Sequence, residues 1–281
     1  MPSLVRTLLL MAACAALPAQ AESFISRLLN KPVPGGVAVV PLGEAPVAPV
    51  VTYRDRRTMV LRDDTGQWLS VVGIPLDTKP GAQRIVIQEE AGSRTVAFEI
   101  RDKVYAAQHI KLKNKRQVNP DPADLARIEK ETAEQLAAYR AFRPHGPSNV
   151  MFDRPVEGGR LSSPFGLRRF FNGEARNPHS GLDFAVPAGT PVKAPAAGRV
   201  ILVGNYFFNG KTVFLDHGQG LVSMFCHLSE ITVQPGQEVA RGEAVGRVGA
   251  TGRATGPHLH WNVSLNDARV DPAIFIGAFK P

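Results

Sequence analysis

After Met151 the chain never holds a 3.6-residue apolar period for a useful length, and nothing else in the sequence narrows the fold as much. Short alternating runs recur instead: Gly198 to Val203, Lys211 to Asp216, Leu221 to His227, Glu243 to Val248 and His258 to Leu265. Gly and Pro separate them. Alternation places every second side chain on one face of a strand, and the separators are turn residues, so residues 151–281 are expected to form an antiparallel β domain.

The first half has a similar texture. β-rich runs at Val37 to Leu42, Thr58 to Arg62, Trp68 to Ile74, Arg84 to Gln88, Thr95 to Arg101 and Val104 to Lys111 predict a small β-sandwich-like domain over 22–118. Pro32, Pro34, Gly35, Gly36, Pro46 and Pro49 predict extended, loop-like chain before and within it. Between the halves, 119–150 reads as a helical linker. Asp121 is placed to cap, Pro122 fits the first turn and Asp124 adds negative charge near the positive end of the dipole. The helix is expected to run to about Phe142, with Leu125, Ile128, Leu136 and Tyr139 on the packed stripe and Arg127, Lys130, Glu131 and Glu134 facing away. The expected fold class is therefore mainly β, with one connecting helix.

Arg6 precedes an apolar run from Leu8 to Leu17 that ends in Ala19-Gln20-Ala21, the pattern of a secretory signal with a small-residue cleavage site. The run is shorter than the ~20 residues that span a bilayer. Residues 1–21 are thus expected to be a cleaved signal peptide, leaving a periplasmic or secreted chain from Glu22 with no transmembrane segment. Met11-Ala12-Ala13-Cys14 offers the competing pattern of a lipoprotein site, which would anchor the product. Only Cys226 remains after cleavage, so no intramolecular disulfide is available and the core must stabilise the chain.

The formal charge of +8 favours anionic polymers and does not demand nucleic acid, because the basic excess is spread over both halves. The one cluster, Lys111, Lys113, Lys115 and Arg116, alternates like the solvated face of a strand. A monomer is expected.

Five of the seven His residues lie after Met151: His179 in His179-Ser-Gly-Leu-Asp183, His217 in Asp216-His217-Gly218, His227 in Cys226-His227-Leu228, and the pair His258 and His260. Neutral imidazole and carboxylate suit Zn²⁺, and a catalytic zinc keeps three protein ligands with one position open. Two residues apart on a strand, His258 and His260 share a face. His179 and Asp183 are four apart; Pro178, Gly181 and Pro187 argue against a helix there, and even spacing in extended chain also puts them on one side. His217 reads as a turn residue. Cys226 reads as a buried thiol pointing away from the His227 imidazole.

His179-Ser-Gly-Leu-Asp183, Phe225-Cys-His227-Leu and Thr255-Gly-Pro-His258-Leu-His260 resemble, in order, the signature of the lysostaphin-type (LytM-type) zinc endopeptidases. Ser163-Pro-Phe-Gly-Leu-Arg168, Val186-Pro-Ala-Gly189, Ala197-Gly-Arg-Val and Gly249-Ala-Thr-Gly252 look similar as well, so the resemblance covers roughly 155–275. More loosely, the N-terminal part looks like the β-rich domain preceding the peptidase in exported Gram-negative members.

The resemblance implies zinc ligands His179, Asp183 and His260, with His227 and His258 beside the open position. It implies His258 as general base and His227 as the donor to the oxyanion or leaving amine, an assignment that can be exchanged. The implied substrate is the peptide stem of peptidoglycan, cut as a murein DD-endopeptidase cuts it. The same fold also serves regulators of wall hydrolases that have lost ligands, and zinc peptidases of Gly-rich or protein substrates. The N-terminal region shows no titratable cluster of its own, which raises the expectation that its Pro-rich segment or the helix covers the cleft.

Overall fold

A computed structural model describes residues 22–281 apart from 91, 113 and 114. The expected signal segment, with Cys14, and Lys113 lie outside the described residues.

The N-terminal segment opens with a one-and-a-half-turn helix, α1 (Phe24–Leu29), where extended chain was expected. Ser23 caps it by accepting from Ser26 N, and Leu29 is fully buried, so one cap and one anchor suffice for a helix too short to show periodicity. Eight strands follow: β1 (Val37–Gly43), β2 (Val50–Tyr53), β3 (Arg56–Arg57), β4 (Met59–Arg62), β5 (Trp68–Gly73), β6 (Gly81–Glu89), β7 (Gly92–Ile100) and β8 (Ala107–Ile110). β1-β5-β4 and β3-β2-β6-β7 form two sheets with Val40, Val72, Ile85 and Ile87 in the core that joins them. Alternate residues of the first sheet, Val37, Val39, Leu69 and Val71, belong instead to the core of the C-terminal half. Burial on both faces is why Val37-Ala-Val-Val40 carries no polar residue.

The helix α2 (Pro122–Tyr139) stops at Arg140, short of Phe142. Pro122 occupies its first turn, but Asp121 makes no side-chain cap bond and pairs with Arg116 instead. Arg116, expected on a solvated strand face, sits in a 3-10 turn and grips Asp124 with two bonds. Ile128, Leu136 and Tyr139 lie on the packed side as expected, but in the first turn Asp124 is buried and Leu125 exposed, so the stripe starts one turn later than expected. Glu131 faces the protein, accepting from Phe207 N at 2.7 Å.

The C-terminal half contains β9 (Arg160–Ser163), β10 (Arg168–Phe171), β11 (Glu174–Ala175), β12 (Leu182–Ala185), β13 (Pro191–Lys193), β14 (Gly198–Tyr206), β15 (Gly210–Gly218), β16 (Leu221–Ile231), β17 (Glu238–Val239), β18 (Ala244–Val248), β19 (Leu259–Leu265) and β20 (Ala268–Val270). The main sheet runs β17-β14-β15-β16-β19-β12-β9, antiparallel throughout, with Leu259, Trp261, Val263 and Leu265 of β19 in its core. β8 leaves the sandwich to pair in parallel with β10. The chain is thus mainly β, and among the described residues no helix is long and apolar enough to cross a membrane.

Candidate metal centre

β12 and β19 are neighbours, and Asp183 stands directly opposite His260 in their register. Cross-strand partners point to the same face, so pairing alone brings carboxylate and imidazole together. His179 arrives from the turn before β12. Its N–H donates to Leu167 O, and Gly181 lets the turn lie flat on β19: a Cβ there would stand 2.3 Å from Trp261 O.

Three donor atoms converge. Asp183 Oδ1 lies 3.0 Å from His179 Nε2 and 2.8 Å from His260 Nδ1, and the two nitrogens are 3.0 Å apart. All three residues are buried. His179 Nδ1 is 2.7 Å from Pro164 O, and a carbonyl only accepts, so Nδ1 carries the proton and Nε2 presents a bare lone pair. Burial pushes His179 down to about 4, outweighing the attraction of Asp183, so the imidazole is neutral near pH 7. Burial alone would raise the Asp183 carboxyl; with His179 Nε2 bare, the hydrogen bond from His260 opposes that rise and keeps the group ionised. One proton at most, on His260 Nδ1, is left to serve the other two atoms, both acceptors. A cation would satisfy all of them, and the spacing is only slightly tighter than the roughly 3.3 Å between ligand atoms around tetrahedral zinc. The donor set therefore fits a divalent metal.

Arg169, on β10, donates to the other carboxylate oxygen, Asp183 Oδ2, at 3.0 Å and to Gln108 Oε1 of β8 at 3.2 Å. It leaves Oδ1 alone facing the histidines. Arg169 directly follows the run Ser163 to Arg168 and carries no signal of its own in the sequence, because its role depends on the pairing of β10 with β8, which no spacing reveals.

His227 and His258 face each other beside the trio, ring centroids 4.8 Å apart. Their Nδ1 atoms donate to Thr251 O and Gly256 O, both at 2.8 Å, so each turns a bare Nε2 toward other groups. His258 Nε2 is 4.0 Å from Asp183 Oδ1. Burial, reinforced by His258 and His260, pushes His227 down to about 3. His227 sits at φ +62°, where the pairing of β16 with β15 shifts by a residue. This bulge re-aims the imidazole, so Cys226 and His227 both line the cleft, and strict alternation fails there. The thiol is nevertheless unpaired and buried, with its pKa raised by burial.

His217 is a strand residue at the end of β15, with Nδ1 on Ala197 O and Nε2 on Ser223 Oγ, both at 2.9 Å. It is a structural imidazole away from the cleft.

The cleft has two recesses of about 300 and 320 Å³. Residues Ile128, Glu131 and Gln135 of α2 wall the first; Gln108 and Ile110 of β8 wall the second. Arg169, Phe171, His227, Arg253 and His260 border both. Gln117 joins the linker to this rim, its Nε2 donating to Gly252 O at 2.9 Å.

Residues 177–272 match the model of peptidase family M23, and 30–103 match that of the peptidase family M23 N-terminal domain. Over 113 residues the chain is 44% identical to the peptidoglycan DD-endopeptidase ShyA of Vibrio cholerae, covering 40% of this chain and 26% of ShyA. Over 133 residues it is 38% identical to the DD-carboxypeptidase/endopeptidase Mpg of Neisseria meningitidis, covering 47% of this chain and 30% of Mpg. The match thus spans less than a third of either relative. A crystal structure from Pseudomonas aeruginosa, of a protein assigned to peptidase M23, superposes with a TM-score of 0.79 and 60% identity, covering 92% of this chain and all of that one.

Proposed function

The chain belongs to peptidase family M23, and from that membership we propose that it is an exported zinc metalloendopeptidase hydrolysing the peptide cross-links of peptidoglycan. The observation that carries the proposal is the convergence of His179 Nε2, Asp183 Oδ1 and His260 Nδ1 within 3.0 Å of one another, with two further imidazoles alongside.

His179, Asp183 and His260 would hold the ion. When bound, zinc supplies a Lewis acid and a water of lowered pKa. His258 is read as the base: its Nδ1–H is fixed on Gly256 O, so Nε2 is free to take the proton of the attacking water. His227, fixed in the same way and held neutral, is read as the group that accepts this proton at its bare Nε2 and passes it to the developing oxyanion or the leaving amine, so that no proton is gained or lost. The two roles are exchangeable by geometry. Arg169 keeps the carboxylate oriented.

The two-imidazole, one-carboxylate donor set supports zinc, and the names of the relatives support the peptidoglycan stem. Export, removal of residues 1–21, a periplasmic or secreted location and a monomeric state belong to the same reading. So does the division into 22–118, 119–150 and 151–281, although Leu29, Val37 and Val71 share one core with Trp261 and Val263.

Digesting purified cross-linked muropeptides with the zinc-loaded protein, and reading the new ends by mass spectrometry, tests the proposal. Release of D-alanine carboxyl ends together with free diaminopimelate amines is expected. Intact cross-links, or stimulation of a separate amidase without cleavage, would replace it with a regulatory reading.

A further inference from the structure

We propose that Arg253 is the substrate-carboxylate receptor of this cleft, binding an acidic group of the peptide next to the metal site. The inference rests on the peptide-hydrolase reading above and adds to it the source of its preference for anionic peptides.

The position of Arg253 is set by its backbone. Gly252 at φ +71° lies so close to β15 that a Cβ would stand 2.3 Å from Gly210 N, and Arg253 N donates to Phe208 O at 2.7 Å. The side chain then passes between two aromatic rings, its guanidinium carbon 4.8 Å from the Phe171 centroid and 4.4 Å from that of Phe208. Cation–π contact with both faces holds the group in place without neutralising it.

Its neighbours are committed elsewhere. Arg169 is taken by Asp183, and Arg176 by Glu174 at 2.6 Å. Among the described residues the Arg253 side chain donates to a single carbonyl, Gln117 O, at 3.3 Å, and no carboxylate lies within 4.0 Å of it. Burial, with repulsion from Arg169 and Arg176, lowers it to about 10, so it remains charged near pH 7. A part-buried cation lacking a counter-anion keeps N–H groups that solvent or a ligand must satisfy. An arriving carboxylate would supply a charge-assisted, potentially bidentate partner.

Arg253 borders both recesses together with His227 and His260, so an anion held there lies beside the reacting centre rather than on a distant rim. The cleft thereby selects peptides with a carboxylate near the bond to be cut. Stem peptides containing D-glutamate and diaminopimelate meet that requirement.

The test measures binding to the zinc-loaded full chain by calorimetry. One probe is the stem peptide L-Ala–D-Glu–diaminopimelate–D-Ala, which lacks the scissile cross-link; further probes have its carboxyl groups amidated together or one at a time. Wild type should bind the acid at least about 10-fold more tightly than the full amide. Arg253→Met, which keeps the stem between the two Phe rings, should weaken the acid roughly 10- to 100-fold and leave the amide within about 2-fold. Arg253→Lys should keep part of the preference, and unchanged zinc content should accompany both variants. A preference that survives Arg253→Met, equal weakening of both peptides, or a wild type that does not distinguish them would overturn the proposal. Arg253-dependent acid binding by a protein that leaves cross-links uncut would sustain the receptor and refute the endopeptidase reading.

Discussion

His179 Nε2 and Asp183 Oδ1 stand 3.0 Å apart with lone pairs facing each other, because His179 gives its single proton to Pro164 O. Two acceptors held at hydrogen-bond distance in a buried site repel unless a cation lies between them. A fold that imposes this arrangement is expected to gain stability from the ion.

Metal removal should therefore lower thermal stability. With zinc at about 100 times its dissociation constant, linkage contributes roughly 2.7 kcal/mol, or about 5–10 °C in Tm for a chain of this size. Calorimetry with and without EDTA reads this directly. A Tm indifferent to chelation would mean that the trio does not bind metal in the folded state.

Arg169→Met should weaken the metal without removing a ligand. Asp183 Oδ2 would lose its partner at 3.0 Å, and the carboxylate would be free to rotate Oδ1 away from the histidines. Loss of such an outer partner typically costs about 10- to 100-fold in metal affinity. Competition against a chromophoric chelator measures it, and an unchanged affinity would show that Asp183 is positioned by its strand alone.

The difference between Asp183 and Arg169 also marks what the sequence made legible. Asp183, His258 and His260 lie in or beside strands whose alternation is written in the chain, and strand pairing turns their spacing into proximity. Arg169 and Arg253 act through contacts with β8, Phe208 and Gln117, which only the assembled fold brings near. Alternation misled at His227, where a bulge with positive φ turns the side chain. Periodicity held along α2 at Ile128, Leu136 and Tyr139 and misled only in its first turn, where Asp124, paired with Arg116, is buried and Leu125 is exposed. The β-rich runs of the first half were readable as strands, while the short α1 left no periodic trace.

Acid should destabilise the fold through His217. Burial lowers this imidazole from its ordinary 6.5 to about 4, so between those values the unfolded chain binds the proton and the folded chain does not. Stability is then fully present above pH 6.5 and lost as pH falls toward 4. One such group contributes up to about 1.4 kcal/mol per pH unit, or about 2 kcal/mol at pH 5. Asp271, raised by burial from 3.8 to about 6, holds its proton when folded and acts in the opposite sense over most of that window. Comparing wild type with His217→Gln isolates the histidine: in urea unfolding from pH 7 to 5, wild type should lose about 2 kcal/mol relative to the variant. Parallel profiles would place the acid sensitivity elsewhere.

Loosening α2 should admit bulky substrate. Glu131 and Gln135 tie the helix to Phe207 N and Asn209 Nδ2 along the rim of the cleft, at 2.7 and 2.6 Å. Truncating the first half would instead expose Trp261-side core that it helps to bury. The double variant Glu131→Ala, Gln135→Ala is the milder perturbation and should raise kcat/KM on cross-linked muropeptides by roughly 2- to 10-fold if the helix limits the open population. Unaltered or reduced turnover with retained zinc would assign the helix a structural role only.

The most direct test of the account is His258→Ala. His258 Nε2 lies outside the trio, 4.0 Å from Asp183 Oδ1, so its removal leaves every donor to the metal in place while deleting the group read as the base. Measured side by side on the same purified muropeptides, the variant should retain one zinc per chain and lose about 10²- to 10⁴-fold in cleavage rate. Zinc retention with cross-link cleavage near the wild-type rate would contradict the assignment of the catalytic centre.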